Sequence, residues 1–342
     1  MTPGRQDPRE TRCRRSQRRR RTERQHRTHR PTGPTGPAGP VNRITNTQIA
    51  LKRWDQDPSH NTKVDVGNAP IALAFDGTNI WVANFGSGTV SKINPAGNTV
   101  TATVTVGTSP AALAFDGTSI WVANQDSNTV SRINTATNTV TATVTGLNGP
   151  EGIAFDGTNI WVTNFSSNNV ARISPATNSI TGTVAVGANP YGIAYDGTSI
   201  WVANESAGTL TKINPATNTA SAPLAVGNFP WGVASDGNNI WVTNQIASGT
   251  VTEIDPGTPT VAATVIATVN VGFGPRGLAF DGTNLWVANN TATPGTLSKV
   301  DPNGHVVIAT VAVGSNAADV VFDGTDIWSA NQGSNTVSKL RP

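Results

Sequence analysis

Glu151, Tyr191, Trp231 and Arg276 each follow a proline, and each lies 40 or 45 residues from the next. An acid, a phenol, an indole and a guanidinium at one recurring place offer hydrogen bonding, ring stacking and ion pairing together. That mixture suits a sugar, a peptide or a polar metabolite. In the remaining copies of the pattern the same place holds Ile71, Ala111 and Ala318, which bring no such chemistry. The residue that follows is Ala or Gly in six copies and Asp319 in the seventh. A second variable place, after a repeated Asn, carries Gln125, Glu205 and Gln332 among others. We therefore expect Glu151, Tyr191, Trp231 and Arg276, with Asp319 and Glu205 nearby, to form a recognition surface.

Catalytic chemistry is harder to assemble from this chain. His26, His29 and His60 precede the pattern and His305 falls at a turn, so no Ser-His-Asp set is available. The single cysteine, Cys13, allows neither an intramolecular disulfide nor a thiolate metal site. A carboxylate pair such as Glu151 and Asp319 suits acid–base work, yet three or four copies of the pattern separate the two. No catalytic residue, metal or cofactor is assigned.

The elements that must position these residues are written seven times. "FDGTNIWVAN" (75–84) returns in near-identical form, with the aspartate of its DG dipeptide at 76, 116, 156, 196, 236, 281 and 323. A period near 40 residues rules out leucine-rich repeats, and the Thr, Val and Asn content rules out helical solenoids. In the copy that starts at Ala111, "AALAF" runs into DG, read here as the type I′ turn of a tight hairpin. "SIWVAN" is a continuous apolar run, as expected of a strand buried on both faces. "TVSRIN" sets Val130 and Ile133 three apart, a place for a bulge. "TVTATVT" alternates, with Val140, Ala142 and Val144 on one face.

Four antiparallel strands repeated seven times make an all-β fold, a seven-bladed β-propeller. One tryptophan recurs in every copy: Trp81, Trp121, Trp161, Trp201, Trp241, Trp286 and Trp328. These indoles are expected to fill the gaps between adjacent blades. The seventh copy stops before its fourth strand, while "NTKVDVG" (61–67) matches "TATVTVG" (101–107). The N-terminal piece is thus expected to supply the missing outer strand and hide an open sheet edge. In such a ring the second-to-third turns and the links between blades share one rim. The variable positions would then gather at one channel mouth, with Glu151 and Asp319 nearly across it.

At "IWVTN" (160–164 and 240–244), its "IWVAN" siblings and "INPATNT" (213–219), the chain resembles the YVTN-type 40-residue propeller repeats of the YncE-like family. The resemblance covers about residues 61–342, with tryptophan where that signature has tyrosine. It implies a seven-bladed propeller, often extracytoplasmic or surface-associated and usually without a defined enzymatic activity; some members are linked to DNA binding. In blade layout the chain is also similar to virginiamycin B lyase-like propellers. Those use histidines and a carboxylate around a metal at the channel mouth, and the histidines are missing here.

The N-terminal region is different material. Residues 1–40 hold twelve arginines against three acids, a net +9, while the remainder nets −6. Residues 1–30 lack the apolar content to fold and read as a disordered tail. The "PTGPTGPAGP" stretch (31–40) places Gly33, Gly36 and Gly39 in a collagen-like period of three, giving residues 31–41 the character of a spacer. Residues 42–60 read as a linker, in which "IALKRW" (49–54) suits a short extra strand carrying Trp54. No apolar run is long enough to span a membrane, and no signal-peptide core is recognisable. The expected function is a non-enzymatic binding or interaction protein, acting as a monomer on a small polar ligand, glycan or protein. Two alternatives stand beside it: a lyase or hydrolase using mouth carboxylates, and a nucleic-acid or polyanion binder acting through residues 5–30.

Overall fold

The computed structural model describes residues 62–342 apart from 247 and 259–261. The expected tail (1–30), spacer (31–41) and linker (42–60) lie outside the described residues. Within them the chain forms seven antiparallel sheets, six running inner to outer in sequence order and the seventh taking its outermost strand from the start of the described residues. Blade 1 shows the plan: Pro70–Phe75, Ile80–Asn84, Thr89–Asn94 and Thr99–Thr105. The inner strands stand side by side in circular order, and that of blade 7, Ala317–Phe322, lies beside that of blade 1. Among the described residues no helix is long and apolar enough to cross a membrane.

Ring closure follows the expected route. Thr62–Asp65 pairs antiparallel with Thr336–Leu340, so that Val64 faces Val337 and the seventh sheet gains its fourth strand. The Val66 N–H donates to the Asn335 carbonyl at 3.1 Å and the Ala69 N–H to Asn335 Oδ1 at 2.9 Å, which continues the latch past the strand.

Burial follows sequence pattern. The second strand of every blade is buried along its whole length, as its unbroken apolar run requires. All seven repeated tryptophans are 0–1 % exposed. Trp81 packs with Leu113, Ile120 and Val122 of blade 2, and Trp328 packs with Leu73, Ile80 and Val82 of blade 1. The indoles thus fill the seams between blades.

Two local expectations change. The DG segment is not a two-residue type I′ turn: Phe75 pairs with Ile80, leaving a four-residue loop in which Gly77 (φ +88°) takes a positive φ and Asp76 does not. Asp76 Oδ1 instead accepts the Thr78 and Asn79 N–H groups at 2.8 and 2.6 Å, and Oδ2 accepts the Trp81 indole N–H at 2.7 Å. One carboxylate therefore fixes both the loop and the indole, and all seven blades repeat the indole bond at 2.6–2.8 Å. The bulge expected in the third run lies on its partner: Arg132 faces Ala142 and Ile133 faces Val140, so Thr141 of the outer strand is the extra residue. That phase change leaves Val140 exposed while Val144 stays buried.

Blade 4 departs from the plan. Its outer strand is split into Thr219–Ala220 and Leu224–Ala225 around Pro223, which has no N–H to give the ladder.

A cation braces most seams. Lys92 lies 5.0 Å from the Trp81 ring and donates to the Thr135 carbonyl of blade 2 at 2.7 Å. Arg132 repeats this on Trp121 and reaches the Pro175 carbonyl of blade 3. Blade 5 has Glu253 at this place, paired at 2.6 Å with His305 of blade 6.

Candidate functional site

Each inner strand opens with a bulge that throws its second residue, after a proline in six blades and after Ala317 in the seventh, out of register. In blades 1, 2 and 7 pairing resumes at the next residue, as in Ala72 opposite Ala83. In blades 3 to 6 it resumes one residue later, as in Ile153 opposite Val162. The residue passed over there is a glycine. A Cβ on Gly152, Gly192 or Gly232 would collide with the carbonyl oxygen of Tyr191, Trp231 or Arg276 in the following blade. Glycine thus lets four consecutive inner strands crowd together and bring their variable side chains into contact.

Threonine completes this packing in two blades. Thr163 Oγ1 accepts the Gly152 N–H at 2.7 Å and donates to the Tyr191 carbonyl at 2.8 Å. Thr243 does the same between the Gly232 N–H (2.8 Å) and the Arg276 carbonyl (2.7 Å). At the ring's closing seam, Asp319 Oδ2 accepts the Leu73 N–H of blade 1 at 2.8 Å.

The side chains form one connected layer. Gln125 Nε2 donates to Glu151 Oε1, and the Tyr191 hydroxyl is near enough to the same carboxylate to favour its charged form. The Tyr191 and Trp231 rings lie 3.6 Å apart between centroids with a 33° tilt, and Phe165 meets Tyr191 edge-on at 6.4 Å. The Arg276 guanidinium lies 5.2 Å from the Trp231 ring, and its Nη1 donates to Gln332 Oε1 at 2.9 Å. Beside this layer lies a cavity of about 310 Å³, within the range of small-molecule sites. Small apolar residues of the remaining blades, Ile71, Ala111 and Ala318, line its other side.

The electrostatics follow from burial. Glu151 is 4 % exposed, and burial pushes its carboxyl up to about 8, opposed by the Tyr191 and Gln125 donors and reinforced by the charges of Glu205 and Asp126. Burial pushes Asp319 up to about 7 against the pull of the Leu73 and Val320 N–H groups. Burial also raises Glu205 and holds Tyr191 well above its ordinary value. It pulls Arg276 below its usual range, and the Arg276 Nε is buried without an acceptor.

Five of the six residues singled out from sequence, Glu151, Tyr191, Trp231, Arg276 and Asp319, line this cavity. Glu205 does not line it; it stands half-buried in the neighbouring turn of blade 4, where its N–H donates to the Asn189 carbonyl at 2.9 Å. Sequence reasoning missed Thr163 and Thr243, for which the alternation of "IWVTN" with "IWVAN" was the available signal. It recorded Gln125 and Gln332 as variable without foreseeing that they tether the two ends of the layer. Phe229 and Phe273 were also missed; on successive links of this rim they are 53 % and 58 % exposed, and Phe229 takes a left-handed φ of 52° that bulky residues seldom adopt. Among the described residues no group of three metal-binding side chains gathers.

Among solved structures, a chain described as Kuenenia stuttgartiensis hydrazine synthase is similar to this one. It matches with a TM-score of 0.71 at 19 % identity, over 82 % of this chain and 97 % of that chain. At that identity the likeness concerns the propeller fold alone. No family model matches the chain, and no curated protein does.

Proposed function

We propose that this chain is a non-enzymatic binding module, a propeller of YVTN type that holds a small polar ligand, a glycan or a segment of protein at its variable mouth. One observation carries the reading: four consecutive blades place Glu151, Tyr191, Trp231 and Arg276 in a single stacked, hydrogen-bonded layer beside one cavity. The glycines and threonines that bring the layer together act at the same blades. Screening the full chain by thermal shift against sugars, short peptides and polar metabolites tests it. Hits should lose tenfold or more in affinity in Trp231→Ala and Arg276→Ala; affinities equal to the parent's would overturn the site.

A lyase or hydrolase reading draws on Glu151, whose carboxyl keeps its proton near neutral pH as a general acid must. Turnover of any hit that disappears in Glu151→Gln would replace binding by catalysis. Polyanion binding through residues 5–30 predicts steeply salt-dependent affinity that vanishes when residues 1–40 are removed. The extracytoplasmic location implied by the YVTN resemblance is tested by mass spectrometry of the native N-terminus.

A further inference from the structure

The charged groups at the mouth are sorted by side. Glu151, Glu205 and Asp126 belong to blades 2 to 4, and the charges of the last two bear on Glu151. Arg276 stands on blade 6, beyond the Tyr191–Trp231 stack. Among the described residues no ion pair includes Arg276, and its Nε has no acceptor. Asp319, on the blade beyond, is turned toward the Leu73 and Val320 N–H groups. An acidic end and a cationic end are therefore held apart by two stacked rings, and neither neutralises the other.

A ligand that satisfies both ends carries a cation and an anion separated by a matching span. The Tyr191 and Trp231 centroids are 3.6 Å apart and the Arg276 guanidinium is 5.2 Å from the Trp231 ring, and these two steps taken end to end set the longest span from Tyr191 to Arg276. That upper limit is on the order of two to three residues of extended chain, at roughly 3.3–3.6 Å per residue. A free amino acid is too short, because its two charges sit on one carbon. Apolar contact comes from Ile71, Ala111 and Ala318 inside and from Phe229 and Phe273 at the rim.

We infer that the mouth takes a short linear peptide with both termini free, its ammonium toward Glu205 and Glu151 and its carboxylate on Arg276. This rests on the binding reading above and gives that reading a ligand class. The acidic end gathers Glu151, Glu205 and Asp126, and Glu151 accepts or donates a hydrogen bond according to its protonation. Asp126 already accepts the Ser109 hydroxyl at 2.6 Å, which fixes its place on the rim.

The test is calorimetric titration of the full chain with Ala-Ala and Ala-Ala-Ala, their N-acetylated forms, their C-terminal amides, and alanine. The free peptides should bind at least tenfold more tightly than either blocked form, with alanine weakest. In Arg276→Gln the preference for a free carboxylate should vanish while that for a free amine persists, and Glu205→Gln should do the reverse. Circular dichroism melting of both variants establishes that they remain folded. Equal binding of free and blocked peptides, or preference for alanine, overturns the inference. Absence of peptide binding also overturns it, and if sugars or other metabolites still bind in a Trp231-dependent way, the broader reading survives. If nothing in the wider screen depends on Trp231, that reading falls too.

Discussion

The seams between blades and the mouth of the channel are built from the same parts, a carboxylate and a tryptophan with a cation over the ring, and use them in opposite ways. At the seam, burial alone would raise the Asp116 carboxyl, but the Trp121 indole and the Thr118 and Ser119 donors outweigh it and hold it below its ordinary value. The Trp121 ring is fully buried, and Arg132 above it divides its donors between blade 3, through Nη1, and Ser119 and Asp116 of its own blade. At the mouth, burial wins: Glu151 rises to about 8 and Asp319 to about 7. Trp231 is only half-buried, and among the described residues its indole N–H has no partner. Polar atoms fully used within the fold make a joint, whereas atoms left wanting partners make a place for something else.

Substituting the two tryptophans should break this contrast most visibly. Trp121→Ala should cost about 3–5 kcal/mol in urea unfolding, as emptied aromatic sites in cores do. Trp231→Ala should cost about 1 kcal/mol and act mainly on binding. Comparable losses would mean the mouth tryptophan is a structural joint as well.

The next effect is a pH dependence of opposite sign in the two regions. Glu151 and Asp319 bind protons more tightly folded than unfolded, so their contribution to stability is greatest at low pH. It declines across about pH 4.5–8 for Glu151 and 3.8–7 for Asp319, and levels off above. Asp116 and Asp196, held low, contribute above 3.8 and lose that contribution only as pH falls further. Urea midpoints from pH 3 to 9 should therefore peak on the acid side, and Glu151→Gln should flatten the fall between pH 5 and 8. A midpoint that rises over that interval would contradict the assignment.

Asp116→Ala comes third. It leaves an indole N–H and two loop N–H groups without their acceptor and should cost about 1–3 kcal/mol in thermal or urea unfolding, with no change in ligand affinity. Thr163→Ala and Thr243→Ala are the smallest. Each turns "IWVTN" into the "IWVAN" of its neighbours and should cost about 1 kcal/mol of stability. Each should nevertheless weaken any mouth ligand, because these hydroxyls tie the bulges on which Glu151, Tyr191, Trp231 and Arg276 stand. Unchanged affinity in both would detach the threonines from the site.

The scaffold was legible because it is written seven times; a period, an apolar run and one tryptophan per copy each point to the same ring. Even the latch could be read, since residues 61–67 match the end of an outer strand. What sequence concealed was the agent at each turn. The DG dipeptide looked like a backbone device, yet its aspartate serves the tryptophan five residues on, a contact no local turn rule contains. At the mouth, comparing copies exposed the variable side chains but not how they meet. That depends on Gly152, Gly192 and Gly232 admitting the next blade's main chain, a three-dimensional crowding that single positions do not announce. Glu253 and His305, fifty-two residues apart in sequence, are brought together only by the fold.

The borrowed outer strand has a consequence for how the molecule comes into being. Residues 62–65 are among the first of the ring to be synthesised, and their partners, 336–340, are the last. While the seven repeats are being made the nascent chain therefore carries one unmatched ribbon, and the seventh sheet is finished only when residues 336–340 arrive. Loss of residues 336–340 would strand residues 62–65 and leave the second strand of the seventh sheet as an open edge, so both sides of the seam fail together.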